Sequence, residues 1–228
     1  MPATLRVLGA VILSLACAAG ATALGSKESG FRDTFEVDKA DLSASGRSPY
    51  IILEPGHRLH FKHGRSTLDI TVLDETRMVD GVRTRVVEER ETQSGRLVEV
   101  SRNYFAIDAK TGAVYYFGES VDVYKNGKVA AHEGAWEAGI GGARFGLMVP
   151  AAPKVGDRFY EEFAPGIAMD RAEIAGVDED VKTPAGTFRH CLHARETSGL
   201  EAGTSHKLYA PGVGLVRDDE MLLVGVEP

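Results

Sequence analysis

Five of the seven histidines fall in two short segments, and histidine is the residue type best suited to metal binding or proton transfer near neutral pH. His57, His60 and His63 lie in HRLHFKH, and His190 and His193 lie in HCLH. Residues an even number of positions apart share a face of a strand, so neither segment directs all its histidines to one side. A metal site would need ligands from separate segments, an open position and a second shell. The sequence therefore predicts solvated histidines, with no metal and no cofactor.

Motifs for nucleophilic or phosphate chemistry are incomplete. GESVD, at residues 118–122, lacks the closing glycine of a nucleophile elbow and falls at a predicted hairpin. GIGGAR, at residues 139–144, breaks the dinucleotide-binding pattern at its sixth position, and no strand–helix unit surrounds it. The sequence therefore favours a protein that is not an enzyme.

Carboxylates occur in three runs, at residues 161–162, 178–180 and 218–220. Adjacent side chains on a strand face opposite ways, so neighbours cannot form an acid/base pair. We predict that these runs are solvated turns. The chain carries 26 basic and 33 acidic residues, a net charge of -7, which argues against binding to nucleic acid and against docking on anionic lipid.

The first 23 residues have the composition of a secretory signal peptide. Arg6 is their only charge, residues 7–15 are apolar, and ATA at residues 21–23 fits a cleavage site. The apolar run is shorter than the roughly 20 residues that span a bilayer, so we expect no transmembrane segment after cleavage. The prediction is an exported protein, periplasmic or extracellular, with lipid anchoring at Cys17 as the alternative. Cleavage leaves Cys191 as the one cysteine, expected to be buried and unreactive.

Turn signals at short intervals define the fold class of the mature chain. Residues 24–48 are rich in Gly, Ser, Lys and Asp and are predicted to be a flexible tether, whereas residues 49–228 form a single domain. Asp-Gly at residues 80–81 and Asn-Gly at 126–127 are hairpin turns between extended segments. The sequence predicts an all-β domain, a curved antiparallel sheet or half-barrel of consecutive hairpins with few or no helices.

One segment, residues 133–153, interrupts the strand pattern because its apolar side chains alternate with five glycines. It fits either a loop that plugs the open end of the sheet or a lid over an apolar cavity. In both cases the concave face of the curved sheet is the place for a ligand. The side chains predicted to line it are Trp136, Phe145, Met148, Phe159 and Phe163.

Several motifs carry a family resemblance. TPAGTF at residues 183–188 and YAPGVGLV at 209–216, together with Pro-Tyr at 49–50, resemble a broad group of exported bacterial proteins of unknown function. Some proteins of that group are similar to the periplasmic lipoprotein carriers. This more distant resemblance implies a half-barrel of antiparallel strands, closed by a lid over a hydrophobic cavity.

Three functions are consistent with these observations. The favoured hypothesis is a non-catalytic exported envelope protein that binds a lipid or another apolar or amphipathic ligand, or a partner envelope protein, in the concave face. The second is a structural or assembly component of the envelope without a small ligand. The third is a metal-dependent or other hydrolase, with His60, His190 and His193 as its first candidate residues.

Overall fold

The computed structural model describes residues 30–228, so the predicted signal peptide, Cys17 and residues 24–29 of the predicted tether lie outside the described residues. Strands joined by short turns make up most of this part of the chain. The first eight are β1 (Leu42–Ser43), β2 (Arg58–His63), β3 (Ser66–Val79), β4 (Val82–Gln93), β5 (Arg96–Asp108), β6 (Val114–Lys125), β7 (Lys128–Ala131) and β8 (Trp136–Glu137). The others are β9 (Arg144–Val149), β10 (Arg158–Tyr160), β11 (Glu162–Phe163), β12 (Asp170–Thr183), β13 (Gly186–Ser198), β14 (Ser205–Ala210), β15 (Gly214–Asp218) and β16 (Met221–Glu227).

The prediction of an all-β fold is confirmed. The helical structure in residues 30–228 is one 3-10 turn, Lys39–Asp41. Asp80 and Gly81, between β3 and β4, both have positive φ (49° and 78°), as do Asn126 and Gly127 between β6 and β7 (55° and 75°). Two consecutive positive φ values match the right-handed twist of the flanking strands, which is why these dipeptides form tight hairpins. Within the described residues, no helix has the length and apolar character needed to cross a membrane.

The strands form one antiparallel sheet that nearly closes into a barrel. Its main path runs β10, β12, β13, β14, β15, β16, β2, β3, β4, β5, β6, β9 and β11. The two edges of this path, β10 and β11, are consecutive in the chain and are separated only by Glu161. The backbone at Glu161 therefore links the two edges of the sheet.

The inner face of the sheet is apolar on one side and acidic on the other. Across neighbouring strands, Phe61 lies opposite Leu68, Leu68 opposite Glu91, and Glu91 opposite Glu99, and all four are buried. The inward side of β4 and β5 thus carries carboxyl groups as well as apolar side chains. The interior is therefore not the uniformly apolar hollow that a lipid-carrier resemblance would suggest.

Two further segments contact the sheet or add strands to it. Residues 30–48, within the predicted tether, contact it through the Phe35 ring, 6.0 Å from that of Tyr115, and through the pairing of β1 with the end of β5. Residues 133–153 contain β8 and β9, and β9 pairs with both β6 and β11. The prediction of an irregular loop is therefore wrong for β9.

Candidate functional site

An apolar cavity lies against the inner face of the sheet. The space between its walls, with its mouth included, is about 550 Å³. It is lined by Tyr50, Ile51, Ile52, Leu53, His57, Leu59, Ile70, Val72, Val87, Glu89, Phe105, Met148, Tyr209, Val213, Gly214 and Leu215. Tyr50, Ile51, Ile70 and Val213 are only half-buried. These side chains mark where the cavity approaches solvent.

Two of the sequence motifs meet at this cavity. The Gly212 amide, in the turn between β14 and β15, donates to the Pro49 carbonyl at 2.7 Å. His57 Nε2 lies 2.9 Å from the Val213 carbonyl oxygen, and burial lowers the pKa of this imidazole. Because the turn is tied to residues 49–57 in this way, the Pro-Tyr and YAPGVGLV motifs together form one wall of the cavity.

Two polar side chains in the cavity wall lack partners. Glu89 and Tyr209 are 4% and 3% exposed, and neither Glu89 Oε2 nor the Tyr209 hydroxyl has a hydrogen-bond partner. An unsatisfied buried polar group costs about 1–3 kcal/mol. Such groups in a ligand-sized space are therefore candidates for contacts with a bound molecule.

Behind Glu89 the interior is occupied by buried acidic side chains, here named the acidic cluster. Its members within the described residues are Glu89, Glu91, Glu99, Glu119, Glu161, Glu162, Glu196 and Asp218. The prediction of solvated turns is wrong for Glu161, Glu162 and Asp218, which are 4%, 3% and 0% exposed. The chain bends between β10 and β11, so Glu161 and Glu162 line the same small gap instead of alternating across a strand.

Burial sets the protonation of the acidic cluster. It raises the pKa of Glu91 to about 8 and the pKa values of Glu99 and Asp218 to about 7. Burial also raises the pKa of Glu89 and of Glu119 well above the ordinary range, and repulsion between neighbouring carboxylates adds to the effect. Desolvation disfavours the charged form, so several of these carboxyls are protonated near neutral pH.

Some members of the acidic cluster have polar partners. Lys207 Nζ lies 2.6 Å from Glu196 Oε2, and both side chains are almost fully buried. Even so, burial outweighs the attraction of Lys207 and raises the pKa of Glu196. The Tyr116 hydroxyl donates to Asn103 Oδ1 at 2.6 Å, next to Glu119, whose two carboxyl oxygens have no hydrogen-bond partner.

Of the five side chains predicted to line the ligand site, Met148 lines the apolar cavity, and it also faces the gap beside Glu161. Trp136 is buried beside the acidic cluster, with its ring edge-on to that of Tyr116 at 5.5 Å. Burial raises the pKa of Glu162 well above its ordinary value, and the nearby indole N–H of Trp136, which has no hydrogen-bond partner, opposes this rise only weakly.

The other three predicted side chains lie outside the cavity wall. Phe145 stacks on Phe117 with ring centroids 4.8 Å apart. It also packs beside Phe35, which lies in residues 30–48. Phe159 is buried on β10, and the half-buried Phe163 ring lies 3.9 Å below the guanidinium of Arg144. Sequence reasoning missed Glu89 and Tyr209, although both stand on strands that it predicted.

Three of the histidines on β2 and β13 pair with a carboxylate on the neighbouring strand, and His132 pairs with Asp122. His60 Nδ1 is 2.6 Å from Asp69 Oδ1, which raises the pKa of His60, and His190 Nδ1 is 2.5 Å from Asp178 Oδ1. His193 Nδ1 is 2.7 Å from Glu179 Oε1. The prediction of simply solvated histidines therefore misses these pairings, which join neighbouring strands.

The His193 pair continues into a second histidine, because His193 Nε2 lies 2.9 Å from His206 Nδ1. This chain of hydrogen bonds lies in a polar surface cleft. The cleft is lined by Glu179, Asp180, Val181, Lys182, His193, His206, Leu208, Arg217, Asp219 and Glu220. Such a chain can transfer protons, but these lining residues include no hydroxyl or thiol nucleophile. Across residues 30–228, no three His, Cys, Asp or Glu side chains are placed to hold a metal ion together.

Comparisons with known proteins give little further information. No family model matches the chain, and no curated protein matches it. Among solved structures, the chain is similar to a candidate lipoprotein from Parabacteroides distasonis ATCC 8503, at 15% sequence identity and a TM-score of 0.39. The match covers 80% of this chain and 100% of that chain. A TM-score of this size does not establish a shared fold.

Proposed function

We propose that this chain is a non-catalytic exported envelope protein that binds a small amphipathic ligand in the apolar cavity. The observation that carries the proposal is the wall itself, whose lining side chains are apolar apart from Glu89, His57 and two tyrosines. Apolar walls with a few fixed polar groups are typical of small-molecule sites. Export is supported by the predicted signal peptide and by the resemblance of the motifs at residues 183–188 and 209–216 to exported bacterial proteins.

The size of the cavity limits the ligand. The space of about 550 Å³ includes open solvent, and the cavity volume itself is about 70 Å³, which suits a single ring or one short alkyl chain and is too small for a two-chain lipid. Burial of each methylene group contributes about 0.8 kcal/mol, which corresponds to about a fourfold gain in affinity. Affinity should therefore rise steadily with chain length until the alkyl group fills the space.

Calorimetric titration with straight-chain alcohols tests the proposal. Octan-1-ol should bind once per chain, and affinity should increase by about fourfold per methylene from butan-1-ol upward. Val213→Phe fills the mouth of the cavity and should weaken octan-1-ol binding by at least about tenfold. Val129→Phe is the matched control, since Val129 is exposed on β7 and away from the cavity. The proposal fails if no alcohol binds, or if the two variants bind octan-1-ol equally well.

The structural-component alternative makes a different prediction. An envelope protein without a small ligand should leave its source cells with the cavity empty. Native mass spectrometry of the protein purified from its own host distinguishes the two functions: a bound small molecule supports the ligand-binding proposal, and a mass equal to that of the chain alone supports the structural one.

A further inference from the structure

Two of the polar side chains that line the apolar cavity have an oxygen without a hydrogen-bond partner. Glu89 on β4 and Tyr209 on β14 face the cavity, each more than nine-tenths buried and each with an unpartnered oxygen. A ligand that occupied only the apolar part would leave both oxygens unsatisfied.

The surroundings of these two oxygens are acidic. Carboxyl groups approach Glu89 from several strands: Glu91 on its own strand, Glu99 on β5, Glu119 on β6 and Asp218 on β15. The buried cation near them, Lys207, is already held at 2.6 Å by Glu196. The region behind the cavity wall therefore holds more carboxyl groups than cations, and those of Glu99 and Asp218, with pKa values of about 7, are mostly ionised at pH 8, which favours a cation over an anion.

We propose that the polar end of the ligand is a cation, an alkylammonium group that donates hydrogen bonds to Glu89 and Tyr209 while its alkyl chain lies along the apolar walls. An ammonium has three donors and no acceptor, so it can donate hydrogen bonds to more than one oxygen. A hydrogen bond between ionised partners is roughly twice as strong as one between neutral groups. This inference rests on the proposed function and specifies the chemical class of its ligand.

Binding of an ammonium group changes the proton balance of the site. Burial keeps the Glu89 carboxyl protonated near neutral pH, and an ammonium beside it favours the carboxylate. The carboxyl proton then leaves to the buffer as the amine binds. Affinity for the amine should therefore rise with pH across the range in which free protein holds this proton and the complex does not. His57 also faces the cavity, but its lowered pKa keeps it neutral over this range.

The test compares three ligands of equal chain length: octylamine, octan-1-ol and octanoate. An alkylamine stays protonated from pH 6.5 to 8.5 because its pKa is near that of lysine, about 10.4. At pH 8, octylamine should bind at least about tenfold more tightly than octan-1-ol, and octanoate more weakly than either. Calorimetry in two buffers of different ionisation enthalpy should show net proton release for octylamine and none for octan-1-ol.

Two variants assign the effect to Glu89. Glu89→Gln keeps the shape and cannot ionise, so in this variant octylamine should lose its advantage over octan-1-ol and its pH dependence. Glu75→Gln is the control, because Glu75 is exposed on the same sheet and does not line the cavity. If octan-1-ol binds and octylamine shows no advantage, the cation inference is wrong and the apolar site stands. If the advantage persists in Glu89→Gln, the assignment to Glu89 is wrong. If none of the three ligands binds, the proposed function itself fails.

Discussion

Lys207 has an unusual position for a lysine, since its side chain is 4% exposed and lies among carboxyl groups. Desolvation lowers its pKa, but the surrounding carboxylates more than compensate and hold it well above the ordinary value. The ammonium is thus charged at neutral pH and is held by Glu196. Removing one partner of such a pair leaves the other buried without compensation, which is more damaging than removing both.

We therefore expect Lys207→Met to destabilise the protein by about 3–5 kcal/mol at pH 8. The loss should be smaller at pH 5, because Glu196 can then be protonated and no longer needs a counterion. Urea unfolding followed by fluorescence of Trp136, which is buried and is the chain's single tryptophan, measures both values.

Two comparisons make this prediction specific to the pair. The double variant Lys207→Met/Glu196→Gln should recover most of the lost stability at pH 8, since no unpaired charge remains. Lys128→Met, at an exposed position on β7, should change the free energy of unfolding by less than about 0.5 kcal/mol. Equal destabilisation at pH 5 and pH 8 would mean that Lys207 acts through packing alone.

Among the strands, β9 has a special role because it pairs with β11 at the place where the sheet nearly closes. Gly146 on β9 lies against the link between β10 and β11. A Cβ atom at this position would be 2.1 Å from the Glu161 carbonyl oxygen and 2.7 Å from that of Tyr160. These contacts are with backbone, which cannot rotate away, so the close approach of β9 requires glycine.

Gly146→Ala should therefore lower the free energy of unfolding by at least about 2 kcal/mol, through displacement of the link. Gly225→Ala is a matched strand control, because its added Cβ would lie 3.6 Å from His60 Cδ2, an ordinary contact. The control should stay within about 1 kcal/mol of the wild type. Thermal unfolding of the two variants compares them directly, and equal melting temperatures would show that closure at Glu161 does not depend on Gly146.

The elements that sequence analysis predicted correctly depend on local signals. Asp80-Gly81 and Asn126-Gly127 fix hairpins through their own backbone preferences, so the strands beside them could be placed. The strand β9 was missed because it lies in a glycine-rich segment, which is typical of a loop, and only the non-local approach to Glu161 explains Gly146. Local patterns therefore gave most strands and the fold class, but not the pairing that nearly closes the sheet.

The candidate site was harder to predict for the same reason. Met148 was chosen as a large apolar side chain in a glycine-rich segment, and it lines the apolar cavity. Phe145 instead packs against Phe35, and this contact depends on how residues 30–48 fold back onto the sheet. Glu88 and Glu89 are adjacent on β4 and face opposite sides of the sheet, and local sequence does not show which side is the interior: Glu89 is buried, whereas Glu88 pairs with Arg102 on the other face.

For the molecule as a whole, the acidic cluster should control how stability depends on pH. A carboxyl whose pKa is raised by folding holds more protons in the folded state than in the unfolded chain. Its stabilising effect is complete below the unfolded pKa, about 4.3 for Glu, and is lost as pH rises through the folded pKa. For Glu91 the folded value is about 8, and for Glu99 and Asp218 it is about 7.

Below about pH 4, groups with lowered pKa values act in the opposite direction. Asp108 has a lowered pKa because backbone amides of Lys110 and Thr111 donate to it, and Glu173 because Arg158 and Arg195 bind it. Protonation of these carboxylates in acid removes their favourable contacts. Maximum stability should therefore fall near pH 5, between the two effects, and not at neutral pH.

The free energy of unfolding should thus decrease by at least about 2 kcal/mol between pH 5 and pH 8.5, since each unit of pKa shift corresponds to about 1.36 kcal/mol. Urea unfolding at a series of pH values measures the slope. The variant Glu91→Gln/Glu99→Gln should have a flatter profile, because two of the shifted carboxyls are absent, whereas Glu75→Gln on the exposed part of β3 should follow the wild type. A profile that is level or rises from pH 5 to pH 8.5 would mean that these carboxyls are ionised and stabilised inside the folded protein, and the acidic cluster would then need a permanent cationic partner.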